Sequence, residues 1–255
     1  MKSVAIITGA SSGIGKATAI RLARDFSSIV LVAREGEKLA EVAESAKKEG
    51  SDCIWLEMDL SVATAAEAVI QKTLEQFGRI DALLNIAGAV AGVDVFQMTD
   101  AQWHGGMELK FHAARRLAIH AWSALKAAKG SIVFISGNAA DIPKASAAAV
   151  GAINAAIEAL AKAFADRGIE DGIQVNAVSP GAILTSRRLG MLEKAATEKS
   201  VSLQEMERTF LRQAGVTRFG KPEDIAELLA FIVSPKAKYM TGVVLRMDGG
   251  EVKSN

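Results

Sequence analysis

The chain of 255 residues has little cysteine, few aromatic residues and almost no net charge. Its single cysteine, Cys53, excludes an intrachain disulfide, and one thiol with three histidines does not make a zinc ligand set. The 30 basic and 29 acidic residues leave a formal net charge of +1, which gives no reason to expect nucleic acid as a partner. The start of the chain leaves no room for a signal peptide, and no apolar run is expected to span a membrane. We therefore expect a cytoplasmic protein without metal, membrane or nucleic-acid partners.

Half of the residues are hydrophobic, and short apolar runs alternate with longer segments of helical spacing. The runs are continuous, which is typical of strands buried on both faces of a parallel sheet. This alternation predicts an α/β fold with a doubly wound, seven-stranded parallel sheet and helices on both faces, in a single domain over residues 1–255. The predicted strands are Val4–Ile7, Ile29–Ala33, Cys53–Leu56, Ile80–Leu84, Ile132–Ile135, Ile173–Val178 and Val243–Leu245.

The segment from Ile183 to Thr217 breaks the alternation. It is rich in Met, Arg, Lys and Glu and too long for a simple loop, so it is predicted to carry one or two helices. Because it follows a strand, we expect a lid over a ligand, and a helical excursion that only covers the sheet edge is the alternative. Near its start, Arg187 and Arg188 could bind a cofactor phosphate or an acidic substrate, or simply begin a charged helix.

A glycine-rich turn follows the first strand, at Thr8-Gly9-Ala10-Ser11-Ser12-Gly13-Ile14-Gly15. Glycines let the backbone approach a phosphate closely, and the start of the next helix supplies free N–H groups and a positive dipole. A tight strand-to-helix turn without a ligand would look the same. The position of this turn in the first βα unit favours a dinucleotide site.

The Thr-Gly-x-x-x-Gly-Ile-Gly pattern of this turn resembles the cofactor fingerprint of the short-chain dehydrogenase/reductases. Further motifs similar to those of the family follow in order, from residue 2 to about residue 250. They are Asn85-Ile86-Ala87-Gly88, Asn176-Ala177-Val178-Ser179-Pro180-Gly181, Arg218-Phe219-Gly220-Lys221-Pro222-Glu223-Asp224-Ile225-Ala226 and Met247-Asp248-Gly249-Gly250. The resemblance implies a Rossmann-like fold, an NAD(P) cofactor, oxidoreductase activity on a carbonyl or alcohol, and a homotetramer or homodimer.

The resemblance also implies which residues hold the cofactor, with Asp59 placed at the adenine. The predicted contacts are Gly9, Ser11, Ser12, Gly13, Ile14, Gly15, Arg34, Asp59, Leu60, Asn85, Ala87, Gly88, Asn154, Pro180, Gly181, Ile183 and Thr185.

The end of the second strand bears on the choice of dinucleotide. An acidic side chain there would bind the ribose 2′-hydroxyl of NAD, but this strand ends in Ala33 and is followed by Arg34. A guanidinium can hold a phosphate through two parallel hydrogen bonds. The sequence therefore favours NADP over NAD, with a solvated arginine at the start of the next helix as the alternative.

The expected catalytic residues of the family are missing. There, a tyrosine donates the proton, a lysine one helical turn later assists it, and a serine and an asparagine hold the substrate oxygen and complete a tetrad. Local alignment places these four positions at Val150, Asn154, Gly137 and Lys110, in that order. The only tyrosine, Tyr239, lies near the carboxyl end, so a shift of register does not supply one. Standard proton transfer is expected to be absent.

Lys110 is the candidate to replace the missing proton donor, because a partly dehydrated ammonium can donate a proton or stabilise an alkoxide. The alternative is a lysine that reaches the surface or pairs with Glu108. Ser136 is one residue away from the serine position, and strand alternation should turn it from the site. The predicted substrate contacts are Gly137, Asn138, Val150 and Met191. The alternative function is a catalytically degenerate dinucleotide binder that acts as a sensor, scaffold or partner subunit.

Overall fold

A computed structural model describes residues 3–253 of the chain. Its seven strands are β1 Val4–Thr8, β2 Ser28–Ala33, β3 Asp52–Glu57, β4 Ala82–Asn85, β5 Ser131–Ile135, β6 Gln174–Pro180 and β7 Val244–Met247. They form one parallel sheet in the order β3-β2-β1-β4-β5-β6-β7. The predicted doubly wound parallel sheet is confirmed.

Nine α-helices connect or follow these strands within residues 3–253. They are α1 Gly13–Leu22, α2 Gly36–Lys48, α3 Ala65–Phe77, α4 Asp100–Gly106, α5 Ala113–Ala128, α6 Ala148–Asp171, α7 Ser186–Glu198, α8 Leu203–Ala214 and α9 Pro222–Val233.

The helices cover both faces of the sheet with two separate cores. Along β1, Val4 and Ile6 enter one core, whereas Ala5 and Ile7 enter the other. The first core holds residues of α3, α5 and α6, and the second holds residues of α1, α2 and α9. Successive strand side chains point to opposite faces, so burial on both faces requires a continuous apolar run.

A π-helix, Met107–His112, joins α4 to α5 in one continuous helical stretch. Helix α4 begins at a capping box, in which the Thr99 side chain accepts from the Gln102 N–H and the Gln102 side chain accepts from the Thr99 N–H. Widening the turns to i→i+5 bonds accommodates extra residues, and such segments occur frequently at functional sites. This one carries Lys110.

The segment 183–217 carries α7 and α8. The Thr185 side chain caps α7 by accepting from the Arg188 N–H at 3.2 Å. The two helices share a small core in which Leu192, Ala196 and Met206 are buried. The two ends of the segment meet where the Leu184 N–H donates to the Gly220 carbonyl at 2.9 Å, so the excursion begins and ends at one place.

Helix α6 corrects one expectation from the sequence. The stretch Ala145–Asp171 is long and apolar enough to cross a membrane by length and composition. One face of α6 packs on β5 and β6, with Ile157, Ala161 and Ala165 in the core. Packing against the sheet accounts for the apolar residues on that face, and a third of the apolar stretch is buried.

Candidate functional site

A cleft of about 400 Å³ lies at the carboxyl edge of the sheet, where β1 stands between β2 and β4. The chain runs from β1 outward to β2 and β3, and then crosses to β4 on the other side of β1, and such a switch point opens a crevice for a ligand. The cleft is lined by Gly9, Ser11, Ser12, Gly13, Ile14, Gly15, Val32, Ala33, Arg34, Glu35, Met58, Leu60, Ile86, Ala87, Gly88, Ala89, Leu109, Lys110, Ile135, Thr185, Ser186 and Arg187.

The glycine-rich turn is built by close approach. A Cβ on Gly15 would lie 2.1 Å from the Gly9 carbonyl oxygen, so only glycine lets α1 start directly over the end of β1. Gly9 has a φ of 67°, and its Cβ would lie 3.0 Å from the Ala87 Cα. Thr185 touches the turn from the other side, 3.1 Å from a Cβ on Gly13. Three predicted cofactor segments therefore meet at this turn.

Asn85 has an unsatisfied side chain next to the cleft. The residue is 5% exposed, and within residues 3–253 neither polar atom of its amide has a hydrogen-bond partner. Its neighbours Ile86 and Ala87 are held because their N–H groups donate to the Thr8 Oγ1 at 2.9 and 3.0 Å. Buried polar groups are rarely left unpaired, so a ligand or water is expected to complete the Asn85 amide.

The far end of the cleft lies beyond β2. Arg34 is exposed there, and no carboxylate of the described chain lies within ion-pair distance of it. Glu35, the acidic residue of the lining, pairs with Lys38. Arg34 therefore leaves a free positive charge at the position that the sequence assigned to a phosphate.

Asp59 has a local structural role. Its Oδ1 accepts from the Ser61 N–H at 2.9 Å and from the Ser61 hydroxyl at 2.7 Å. These bonds, with a smaller contribution from the charge of Arg34, hold the pKa of Asp59 below its ordinary value. Leu60 and Met58 line the cleft instead, and Met58 was not predicted.

Lys110 reaches into the cleft from the π-helix. Its side chain crosses Gly88, where a Cβ would lie 3.0 Å from the Lys110 Cδ. Its Nζ donates to the Asn154 Oδ1 at 2.5 Å and to the Ser136 carbonyl at 2.9 Å. The alternative pairing with Glu108 is wrong, because Glu108 pairs with Arg116 at 2.8 Å.

Lys110, Asn154 and Gly137 are three of the four positions aligned with the family tetrad, and they are joined by hydrogen bonds. The Asn154 Nδ2 donates to the Gly137 carbonyl at 3.3 Å, and Gly137 has a φ of 153°. A Cβ on Gly137 would lie 2.8 Å from the Asn154 Nδ2. Val150 lies in a neighbouring apolar cluster around Val90, so the reactive end of the cleft presents amide and ammonium groups without a hydroxyl from position 137 or 150.

The environment of Lys110 makes its ammonium acidic. Burial is the main cause, and the positive charge of Arg187 adds to it, so the pKa of Lys110 falls from its ordinary 10.5 to about 8. The negative charge of Glu158 opposes this change. An amine with a pKa near neutrality can both donate and accept a proton, as general acid–base chemistry requires.

Ser136 turns its side chain away from the cleft, as the strand alternation predicted. Its hydroxyl donates to the Glu158 carboxylate at 2.6 Å, while its carbonyl accepts from Lys110. Burial raises the pKa of Glu158, and the nearby Asp141 adds to the effect. Glu158 was not indicated by the sequence, although it lies one helical turn after Asn154 on the same helix.

Arg187 is a second residue whose position the sequence did not determine. Its guanidinium donates to the Val90 carbonyl at 2.9 Å and to the Gly88 carbonyl at 3.4 Å. These contacts tie the start of α7 to the segment after β4. The two N–H donors of the Arg187 guanidinium therefore lie over Gly88 and Val90, and the Lys110 side chain crosses Gly88.

The remaining predicted residues lie outside the lining of the cleft. Asn138 has a buried side-chain amide near the Glu251 carboxylate, and Met191 is half-exposed on α7. Tyr239 is fully exposed and does not line the cleft. The predicted cofactor contacts that do not line the cleft are Asp59, Asn85, Asn154, Pro180, Gly181 and Ile183.

Comparison with known proteins connects this cleft to a family. A family model described as enoyl-(acyl carrier protein) reductase matches residues 9–251. An uncharacterised oxidoreductase of Methylorubrum extorquens is 30% identical, over 97% of this chain and 96% of its own. The 3-oxoacyl-[acyl-carrier-protein] reductase of Staphylococcus aureus is 29% identical, over 98% of each chain.

A solved structure shows the same similarity in three dimensions. The L-sorbose reductase of Gluconobacter frateurii, complexed with NADPH and L-sorbose, is 30% identical and has a TM-score of 0.95. The match covers 100% of this chain and 98% of that chain. With the family model and the relatives spanning nearly all residues, the chain belongs to the short-chain dehydrogenase/reductase family.

Proposed function

We propose that this protein is an NADP(H)-dependent oxidoreductase that interconverts a carbonyl compound and an alcohol, with Lys110 as its proton donor. The observation that carries the proposal is the placement of the Lys110 Nζ inside the cleft, 2.5 Å from the Asn154 Oδ1 and 2.9 Å from the Ser136 carbonyl.

The residues of the cleft fit a dinucleotide. The turn from Gly9 to Gly15 leaves backbone room for a pyrophosphate, and the unpaired Asn85 amide offers a donor and an acceptor. Arg34 supplies a free cation for a 2′-phosphate, which favours NADP, and the similar L-sorbose reductase was solved with NADPH. When bound, the cofactor supplies or accepts the hydride.

The protein's own part is the proton. The Lys110 ammonium has three N–H donors, and two of them are used by Asn154 and Ser136, so one is free for a substrate oxygen. During reduction, it would stabilise the developing alkoxide and pass its proton to that oxygen. During oxidation, the neutral amine would take the alcohol proton. With a pKa of about 8 in the protein, both forms are accessible near neutral pH.

Val150 and Gly137 fit this proposal because they leave the oxygen site without a tyrosine or serine hydroxyl. Together with Asn138 and Met191, they would border the substrate. The segment 183–217 would act as a lid, since Thr185 and Arg187 already contact the cleft. We further propose that residues 1–255 form one domain and that the protein is a cytoplasmic homotetramer or homodimer.

Two measurements test the proposal. Fluorescence titration should show tighter binding of NADPH than of NADH. In a panel of carbonyl compounds, Lys110→Ala should retain NADPH binding and lose turnover by ~10²–10⁴-fold, the range of a positioned general acid. The exposed Lys47→Ala is the matched control and should keep full activity.

Two results would contradict it. Failure to bind either dinucleotide would exclude the cofactor site itself. Tight NADPH binding with no turnover on any carbonyl would instead identify a dinucleotide-binding sensor, scaffold or partner subunit.

A further inference from the structure

The charges around the reactive end of the cleft are unbalanced. Lys110 and Arg187 both line it, and both donate only to neutral acceptors. Within residues 3–253, no carboxylate lies within ion-pair distance of either side chain. Lys110 is partly buried and Arg187 is exposed beside it, so the two positive charges together favour an anion at this end of the cleft.

The carboxylates near this end are already engaged elsewhere. Glu158 accepts from the Ser136 hydroxyl, on the side of β5 that points away from the cleft. Glu108 pairs with Arg116, and Asp141 pairs with Arg246 at 3.0 Å. In the part of the chain that the structure describes, no carboxylate therefore pairs with Lys110 or Arg187.

The cofactor phosphates have donors of their own, although Thr185, two residues before Arg187, also touches the glycine-rich turn. The glycine-rich turn and the start of α1 present N–H groups to a pyrophosphate, and Arg34 faces the end of β2. Arg187 lies instead over Gly88 and Val90, next to the side chain of Lys110. An anion held by Arg187 would therefore lie beside Lys110 rather than on the adenine side.

We propose that the substrate is a small oxo acid whose carbonyl oxygen binds Lys110 and whose carboxylate binds Arg187. This inference rests on the proposed function, because it takes Lys110 as the group that meets the carbonyl. The negative charge of a carboxylate near the carbonyl would offset the positive charges of Lys110 and Arg187. A guanidinium is suited to hold a carboxylate through paired hydrogen bonds. It would also fasten the lid segment, since Arg187 begins α7.

The test compares acids with their own esters. NADPH oxidation is followed with 2-oxobutanoate and 3-oxobutanoate and with the methyl ester of each. The ester is the more electrophilic carbonyl, so a preference for the acid has to come from the protein. We expect kcat/KM to be at least ~10-fold higher for one acid than for its ester, as a charge-assisted contact would give.

Arg187→Gln identifies the source of that preference. It should raise KM for the acid and lower the acid-to-ester ratio of kcat/KM by ~10-fold, a ratio in which any change in the pKa of Lys110 acts on both substrates, and it should leave NADPH affinity unchanged. Arg208→Gln, which removes the same charge from the exposed face of α8, is the matched control and should keep the preference. Equal or better use of the esters would overturn the inference, and so would a loss of NADPH affinity in Arg187→Gln, which would mark a cofactor contact.

A binding measurement separates this inference from the proposed function. Oxalate is titrated into the NADPH-loaded protein by calorimetry, which needs no turnover. Saturable binding that weakens in Arg187→Gln and not in Arg208→Gln supports the anion site even if no substrate is reduced. Absence of saturable oxalate binding overturns the inference, whatever the activity on uncharged carbonyls.

Discussion

The Lys110 Nζ lies 2.5 Å from the Asn154 Oδ1, and this contact joins the π-helix to α6 across the cleft. By alignment, the family has an amide where this chain has Lys110 and an ammonium where it has Asn154. We propose that the two groups have exchanged helices in this chain. The positive charge consequently enters from the wall beside Gly88 instead of from α6.

The exchange predicts strong coupling between the two positions. Asn154→Lys places a second buried ammonium against Lys110 and should lower the free energy of unfolding, whereas Lys110→Asn leaves two amides in contact. The double variant Lys110→Asn/Asn154→Lys restores one amide and one ammonium. It should be more stable than the sum of the two single effects by about 0.5–3 kcal/mol, measured by urea unfolding. Additive effects would show that the contact carries no coupling.

Gly137 predicts a cost for rebuilding the serine of the family. Its φ of 153° disfavours a side chain, and a Cβ would meet the Asn154 Nδ2 at 2.8 Å. Gly137→Ser should therefore destabilise the protein by about 1–3 kcal/mol, seen as a lower Tm. Gly105→Ala is the control, since its Cβ meets nothing within 4 Å on a helix and should not destabilise. Equal Tm values for Gly137→Ser and the wild type would contradict the strained geometry.

The acidity of Lys110 predicts how stability depends on pH. The folded state loses the Lys110 proton near pH 8, whereas the unfolded chain keeps it up to about pH 10.5. Between these values the unfolded state binds more protons, so the free energy of unfolding rises with pH. Lys110→Met lacks this contribution. The free energy of unfolding of the wild type should therefore rise by about 1–3 kcal/mol relative to that of Lys110→Met from pH 7.5 to about pH 10, measured by urea unfolding of the cofactor-free protein. A pH-independent difference would contradict the lowered pKa.

The exposed side chain of Arg34 leads us to expect that the protein prefers NADPH to NADH. Arg34→Ala should raise the Kd of NADPH by ~10–100-fold, because a charge-assisted contact to the 2′-phosphate contributes about 1.5–3 kcal/mol. The Kd of NADH, which has no phosphate there, should change by no more than ~2-fold. Fluorescence titration measures both. Arg24→Ala, another exposed arginine that pairs with Glu49, should alter neither affinity. An equal rise in the Kd of NADPH and NADH would contradict a contact between Arg34 and the 2′-phosphate.

The sheet could be predicted because burial on both faces leaves a direct trace in the sequence. Val4 to Ile7 is apolar at each position since alternate side chains enter two cores, and the predicted and observed strands differ only at their ends. The glycine-rich turn could also be predicted from the sequence, because close backbone contacts require glycine at Gly9 and Gly15.

The reactive end was less predictable because it depends on contacts between distant segments. Local alignment named Lys110, Gly137 and Asn154, but their meeting depends on how the π-helix, β5 and α6 pack. The partner of Lys110 could not be chosen from the sequence, since Glu108 is nearer along the chain and yet binds Arg116. Arg187 was one of two adjacent arginines, and only the fold shows that it reaches Gly88 and Val90.

The π-helix Met107–His112 has a consequence for how this protein can change over evolution. A π-helical turn holds one residue more than an α-helical turn, so deleting one residue here would restore regular i→i+4 bonds while α4 and α5 keep their facing. Helix α5 is anchored in the core through Leu117 and Leu125, so the change would be confined to the turn that carries Lys110. A single-codon deletion would thus move Lys110 relative to the cleft while leaving the sheet intact, whereas the same deletion in a strand would reverse every side chain beyond it.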